Sequence, residues 1–339
     1  MKHKIAINGF GRIGRSAFKI ANARHDMEVV AINDLTDTKT LAYLLKHDSN
    51  YGTYGPEVSF DEQHIIVDKH KIKVIAEKEP NKLPWKELGI DVVIESTGRF
   101  TKPADLDLHI QAGAKKVVLS APIKEGVGDE TFVFGANEDK LDGDRTVLSN
   151  ASCTTNCIAP VMAVLSAELG IEKSMMTTVH SYTASQALQD GPSKDLREGR
   201  NAAENIVPTT TGAAKAAALT VPELKDVFDG LSIRVPTPVV SLSDITLVAK
   251  RNTTVEEVNE ILTKASKQAR YKGILAVTSE PLVSRDLIGD SHSAIVDLSL
   301  TKVVGGNLVK VVAWYDNEWG YSNRLIEMVA LVADNNKGE

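Results

Sequence analysis

The chain has 339 residues, with 45 acidic against 39 basic side chains, a formal charge of -6, and 42% apolar and 25% charged residues. That is the composition of a globular protein long enough for two domains, and its evenly spread charge offers no basic field to nucleic acid or an anionic membrane. No uncharged apolar run approaches the roughly 18 residues of a membrane span, and the apolar stretch after Met1-Lys2-His3-Lys4 is too short for a secretory signal.

Residues 4–8 read as a strand, Gly9-Phe10-Gly11-Arg12-Ile13-Gly14 as a tight turn, and the apolar spacing of Ala17, Phe18, Ile20 and Ala21 as a helix. Gly9 permits the turn, Gly11 lets a pyrophosphate approach the backbone, and Gly14 lets the helix pack close on the strand. The next strand, residues 29–33, ends in Asp34, about 20 residues beyond Gly14, where a carboxylate accepts hydrogen bonds from an adenosine ribose and repels a 2′-phosphate. This order favours NAD over a solvated turn aspartate. Residues 57–75 alternate like the strands of a small meander inserted in the βα rhythm, with turns at Asp61-Glu62 and Asp68-Lys69. Strands resume at 91–95 and 116–119 around a helix over 104–112, and their small polar ends, Ser96-Thr97-Gly98 and Ser120-Ala121-Pro122, are expected to line the cofactor crevice.

A strand over 146–148 leads into Ser149-Asn150-Ala151-Ser152-Cys153-Thr154-Thr155-Asn156-Cys157, followed by an apolar helix over 158–165. Cys153 therefore stands at a strand-to-helix turn, where unpaired N–H groups and the helix dipole are expected to lower its pKa and make it a nucleophile. A small buried hydrophobe is the plainer alternative, and it suits Cys157 better. Two cysteines a helical turn apart form no disulfide framework, which points to a reducing cytoplasm. They have no His or Asp at metal-ligand spacing, so no metal is expected.

Beyond Cys153 long strands with interspersed helices suggest an α+β domain on a mostly antiparallel sheet. His180 stands at the exit of a strand over 175–179, and His292 is an equal candidate on residue type alone. A polar stretch over 181–207 is long enough to imply work at a site or an interface. Pro208-Thr209-Thr210-Thr211-Gly212 opens an Ala-rich helix, as either an anion site or an ordinary cap, and Arg234 on the polar face of its strand calls for an acid or a phosphate. A helix over 255–262 is capped by Thr254 and Glu257, and Asp316-Asn317-Glu318-Trp319-Gly320-Tyr321 leads to a terminal helix over 324–333.

Several of these segments together resemble the phosphorylating glyceraldehyde-3-phosphate dehydrogenases. The carriers are residues 7–15, Glu95-Ser96-Thr97-Gly98, residues 149–157, Thr177-Thr178-Val179-His180-Ser181-Tyr182-Thr183, Thr211-Gly212-Ala213-Ala214-Lys215-Ala216, Arg234-Val235-Pro236-Thr237 and Trp314-Tyr315-Asp316-Asn317-Glu318. The resemblance implies an α/β Rossmann dinucleotide-binding domain (1–152), an α+β catalytic domain (153–317) and a C-terminal helix (318–339) packing back on the first. It implies that Cys153 attacks a triose-phosphate aldehyde, that His180 is the base, and that a thioester is cleaved by inorganic phosphate. Ser152, Thr154, Thr183, Thr211, Gly212 and Arg234 are then the substrate and phosphate contacts. Gly9, Gly11, Arg12, Ile13, Gly14, Asp34, Lys78, Ser120 and Asn317 hold NAD, with Asn317 on the nicotinamide carboxamide. A homotetramer in the cytoplasm is the family's usual state. Erythrose-4-phosphate dehydrogenase and a non-catalytic NAD-binding protein are the alternatives. Against the first stands the intact Thr210-to-Lys215 pattern, and against the second the Cys153 and His180 pair. One departure stands out: Arg197-Glu198-Gly199-Arg200 replaces the Arg-Arg-x-Arg of some bacterial members, so no phosphate contact is assigned to Glu198.

Overall fold

The computed structural model describes residues 2–125 and 130–334. The chain divides into two compact units, one of Met1–Phe132, Lys140–Ala151 and Ser322–Glu339, the other of Val133–Asp139 and Ser152–Tyr321.

The first unit is built on β1 (His3–Asn8), α1 (Arg12–Asn22), β2 (Met27–Asn33), α2 (Thr38–Lys46), the short pair β3 (His47–Asp48) and β4 (Gly52–Thr53), β5 (Val58–Phe60), β6 (His64–Val67), β7 (His70–Ile75), α3 (Trp85–Leu88), β8 (Val92–Glu95), α4 (Pro103–Gln111), β9 (Lys116–Leu119) and β10 (Val147–Ser149). Its main sheet runs β10-β9-β8-β1-β2-β7-β6-β5, and every pair from β10 to β7 is parallel. These strands are near-continuous apolar runs because a parallel sheet is covered on both faces. One core layer gathers Ala6, Ala31, Val93, Val117, Leu119, Leu106, Ile90 and Trp85.

The meander of residues 57–75 is a continuation of this sheet rather than a separate insert, since β7 pairs in parallel with β2 while β6 and β5 turn back antiparallel. Its second turn uses positive φ at Asp68 and Lys69, which gives the hairpin its tight reversal.

The glycines of the first turn divide their work as the sequence suggests. Gly9 has φ +92°, and a Cβ on Gly14 would lie 2.1 Å from the Gly9 carbonyl oxygen. Gly11, by contrast, faces open space.

The second unit begins with α5 (Cys153–Leu169) and continues through β11 (Ile171–Ser181), β12 (Val207–Thr209), α6 (Ala213–Thr220), β13 (Phe228–Val235), β14 (Ser241–Ala249), α7 (Val255–Ser266), β15 (Leu275–Thr278), β16 (Ala294–Asp297), β17 (Lys302–Val304) and β18 (Leu308–Tyr315). Its sheet order is β12-β13-β11-β14-β18-β16-β15, with β17 also on β18. Most pairs are antiparallel, the exceptions being β11 with β13 and β15 with β16. The period-two pattern is plain in β14, where Ser241, Ser243, Ile245, Leu247 and Ala249 are buried and the residues between them are half-exposed. Helices α5, α6 and α7 pack against one another or against the sheet strands.

Residues 133–139, which the sequence places with the first domain, cluster with the second unit. There Arg270 holds the Ala136 carbonyl and the Glu138 and Asp139 carboxylates. The last helix, α8 (Trp319–Asp334), clusters with the first unit from Ser322 onward, where His3 Nε2 lies 3.0 Å from the Asp334 carboxylate. The remainder of the expected 318–339 segment lies outside the described residues.

Replacing Gly14 by Ala forces a methyl group into the Gly9 backbone and should lower stability by about 1–3 kcal/mol in thermal unfolding followed by circular dichroism. Gly11→Ala, with room for its methyl, should melt with the parent chain.

Candidate active site

Helix α5 starts one turn earlier than its apolar run suggests, so Cys153 is its first residue. Ser152 is the N-cap, its hydroxyl accepting from the Thr155 N–H at 3.0 Å. The thiol comes 3.5 Å from Nε2 of His180 on β11. His180 is 4% exposed, and its Nδ1 lies 2.7 Å from the carbonyl oxygen of Ser181. These contacts turn Nδ1 toward the Ser181 carbonyl and Nε2 toward the thiol.

Arg234 enters the same site from β13, where the parallel register sets it opposite His180. Its guanidinium donates to the Ser181 carbonyl at 3.2 Å and lies directly against Nδ1 of His180, which therefore faces both a carbonyl acceptor and a guanidinium donor. Among the described residues no carboxylate pairs with it, and its Nε is buried without a partner. Burial, followed by the Arg234 charge, pushes His180 down to about 3.

The sequence argument expected a thiol with a lowered pKa. Here burial pushes the Cys153 thiol up and outweighs the downward pull of Arg234, the Thr154 hydroxyl and the N–H groups at the helix start. The thiol and Nε2 of His180 stand close enough for a proton to pass from sulfur to the ring. Burial pushes Cys157 to about 12, in keeping with an inert structural role.

The other expected substrate contacts are placed as follows. Thr154 directs its hydroxyl to Tyr315, 2.9 Å away, and Tyr315 also meets Thr178 at 2.8 Å. Thr183 bonds to Ser185, and Thr211 caps α6 by accepting from the Ala213 N–H at 3.2 Å, with Gly212 at the N-cap. Ser152 and Thr154 thus spend their hydroxyls within the fold and keep backbone N–H groups of the helix start to offer an anion. The Tyr315 bridge was not assigned a role from sequence, although its strand motif was noted. Glu198 accepts from the Thr209 hydroxyl at 2.9 Å.

Asn317 is 6% exposed, and its Oδ1 accepts from the hydroxyls of Ser181 at 2.9 Å and Ser241 at 3.1 Å. This fixes the amide so that its nitrogen remains a donor for a ligand carbonyl. His292 instead pairs with Asp290, 2.8 Å away, and takes no part in the cluster.

In the first unit, the carboxyl ends of β1, β2 and β8 open into a pocket of about 340 Å³, lined by Asn8, Gly9, Gly11, Asn33, Asp34, Lys78, Ser96, Thr97 and Phe100 among others. The Asp34 carboxylate accepts from the Phe10 N–H at 2.8 Å and the Thr36 N–H at 3.0 Å. Its position on the wall suits a ribose diol, and the open face of Gly11 suits a pyrophosphate. Lys78 makes no ion pair among the described residues, whereas its neighbour Glu79 is paired with Lys82. Ile13 is on α1. Arg12 beside it pairs with Asp48 at 2.7 Å, and Ser120, just beyond β9, donates its N–H to the Glu95 carbonyl. Neither Arg12, Ile13 nor Ser120 is among the pocket-lining residues. Thr97 and Phe100, which do line it, were not singled out from sequence, although Ser96-Thr97-Gly98 marked the strand end.

Two family models match the chain, the NAD binding domain of glyceraldehyde 3-phosphate dehydrogenase over residues 3–103 and its C-terminal domain over 152–317. The chain belongs to the glyceraldehyde-3-phosphate dehydrogenase family. It is 53% identical over 334 residues to the glyceraldehyde-3-phosphate dehydrogenase of Geobacillus stearothermophilus, covering 98% of this chain and 99% of that one. The enzymes of Streptomyces coelicolor and Bacillus subtilis, the latter named glyceraldehyde-3-phosphate dehydrogenase 1, are 52% and 51% identical over the same shares of each chain. With this membership NAD is the cofactor, and the alternatives of erythrose-4-phosphate oxidation and a non-catalytic protein are not favoured.

Because His180 is held at about 3 in the fold and takes up a proton near 6.5 once unfolded, its contribution to stability is complete above that value. It is lost as pH falls toward 3. His180→Asn should flatten the acid side of the stability curve measured by denaturant unfolding, and should cut turnover by about 10²–10⁴.

Proposed function

We infer that the chain converts D-glyceraldehyde 3-phosphate, inorganic phosphate and NAD to 1,3-bisphosphoglycerate and NADH. The observation that carries this reading is the Cys153 sulfur at a helix start, 3.5 Å from Nε2 of the buried His180. Nε2 takes the thiol proton as sulfur attacks the aldehyde carbon, forming a thiohemiacetal. NAD, when bound, supplies the hydride acceptor. His180, having passed its first proton on, removes the hemiacetal hydroxyl proton as the carbon–hydrogen bond breaks, leaving a thioester on Cys153. Inorganic phosphate then attacks the acyl carbon, and the sulfur departs as the acyl phosphate is released. The developing oxyanion is stabilised by donors already in place at the start of α5.

We assign the substrate anions to Arg234, whose buried Nε lacks a partner, together with Thr183, Thr211, Gly212 and the N–H groups at Ser152 and Thr154. Arg12, Ile13, Gly9, Gly11, Gly14, Asp34, Lys78 and Ser120 are assigned to NAD, and Asn317 to its carboxamide. Cys153→Ser should abolish NADH production while NAD still binds with parent affinity in a calorimetric titration. Normal turnover in that variant would refute the mechanism.

We also propose a homotetramer. The sheet face of the second unit turned away from α5 carries a row in which Ile233, Val179, Leu242 and Trp314 are neighbours, with Met175 (66%) and Leu231 (44%) exposed beside it. A second copy of the chain is the natural cover for such a face. The two free thiols and the family's usual setting support a cytoplasmic location. Light scattering should give four times the chain mass, and Met175→Lys with Leu231→Lys should lower it.

A further inference from the structure

Glu95 closes β8 with 0% exposure, and Trp85, His109 and Asn8 around it are at most 1% exposed. The indole N–H of Trp85 donates to Nδ1 of His109 at 3.0 Å. Indole has no acceptor, so the imidazole proton must sit on Nε2. That N–H meets Glu95 Oε2 at 3.1 Å, next to the Asn8 amide at 2.5 Å. The other oxygen, Oε1, accepts from the Thr97 N–H at 2.8 Å and from its hydroxyl at 2.5 Å. Four donors therefore converge on one carboxylate.

The row continues across the sheet. Asn33 donates to Asn8 Oδ1 at 2.7 Å and exchanges two hydrogen bonds of 2.9 Å with the Glu77 backbone. It thus spans the ends of β8, β1 and β2 and the segment after β7, four neighbours in the sheet. Asn8, Asn33, Glu77 and Thr97 line the NAD pocket, while Glu95, His109 and Trp85 stand behind it. A layer needed only for packing would be apolar, since a buried charge is costly unless every lone pair is met.

We propose that Glu95, oriented by His109 and Trp85, is a positioning residue for dinucleotide binding. It fixes Asn8 and Thr97 directly, and through Asn8 it fixes Asn33 and residues 77–78. The proposal rests on reading this pocket as the NAD site.

The experiment measures NAD affinity by fluorescence titration on the full-length chain, beside KM and kcat. Glu95→Gln turns one acceptor into a donor facing donors. Its Kd and KM for NAD should rise about tenfold or more, with a much smaller change in kcat. His109→Gln keeps a donor toward Glu95 and should bind NAD close to the parent value, whereas His109→Leu should behave like Glu95→Gln. Parent-like NAD binding in both Glu95→Gln and His109→Leu, even with lowered melting temperatures, overturns the proposal. If Glu95→Gln does not fold, the contrast between the two His109 variants decides alone. Asp34→Asn separates the two levels. If it leaves NAD affinity unchanged, the pocket reading fails. If it weakens NAD while Glu95→Gln and His109→Leu do not, only the positioning role fails.

Discussion

The carbonyl oxygen of Ser181 decides what the active site can do. It lies 2.7 Å from His180 Nδ1 and accepts from Arg234, and so holds the ring with Nε2 toward Cys153. The parallel pairing of β11 with β13 makes this arrangement possible, because it sets His180 beside Arg234 and Thr178 beside Ser232. A slip of one residue would turn His180 to the other face of the sheet.

Burial disfavours charge on both the thiol and the imidazole. Arg234 is different, since no described carboxylate offsets its guanidinium. Its charge is therefore available to a ligand anion, and to the negative charge that develops on oxygen as sulfur attacks. The same cation that depresses His180 is placed to offset the negative charge on oxygen.

Much of this was legible in the sequence because the relevant signals are local. Glycine spacing, the acid after the second strand, and Cys153 at a change of periodicity each depend on a few adjacent residues. The long apolar strands gave the sheet of the first unit, but they did not show that the meander over 57–75 extends it, because pairing of β7 with β2 is a non-local event. Helix α5 was read too short, because Thr154, Thr155 and Asn156 look like loop residues until Ser152 is seen to cap them. The direction of the thiol shift was missed for a related reason: a helix start is visible in sequence, whereas the burial that outweighs it is not. The roles of Tyr315 and Glu95 also lie in side chains brought together across strands. Neither has a signature along the chain beyond the strand ends already noted.

Glu198 shows how a departure from a family pattern is absorbed. An arginine there would add a second cation to the anion-binding elements, but the carboxylate instead accepts from Thr209 on β12 and ties the long loop to the sheet. Of the neighbouring arginines, Arg200 is paired with Asp190 and Arg197 is exposed. The loop thus gains an internal restraint and gives up a cation. On the assignment we propose, recognition of the two phosphate groups falls to one guanidinium, supplemented by neutral donors at the starts of α5 and α6. Neutral N–H donors pointing along a helix axis hold an anion by geometry as much as by charge, and their alignment depends on the caps at Ser152 and Gly212. The cost of losing the loop cation is therefore set by how rigidly those two helix starts are held.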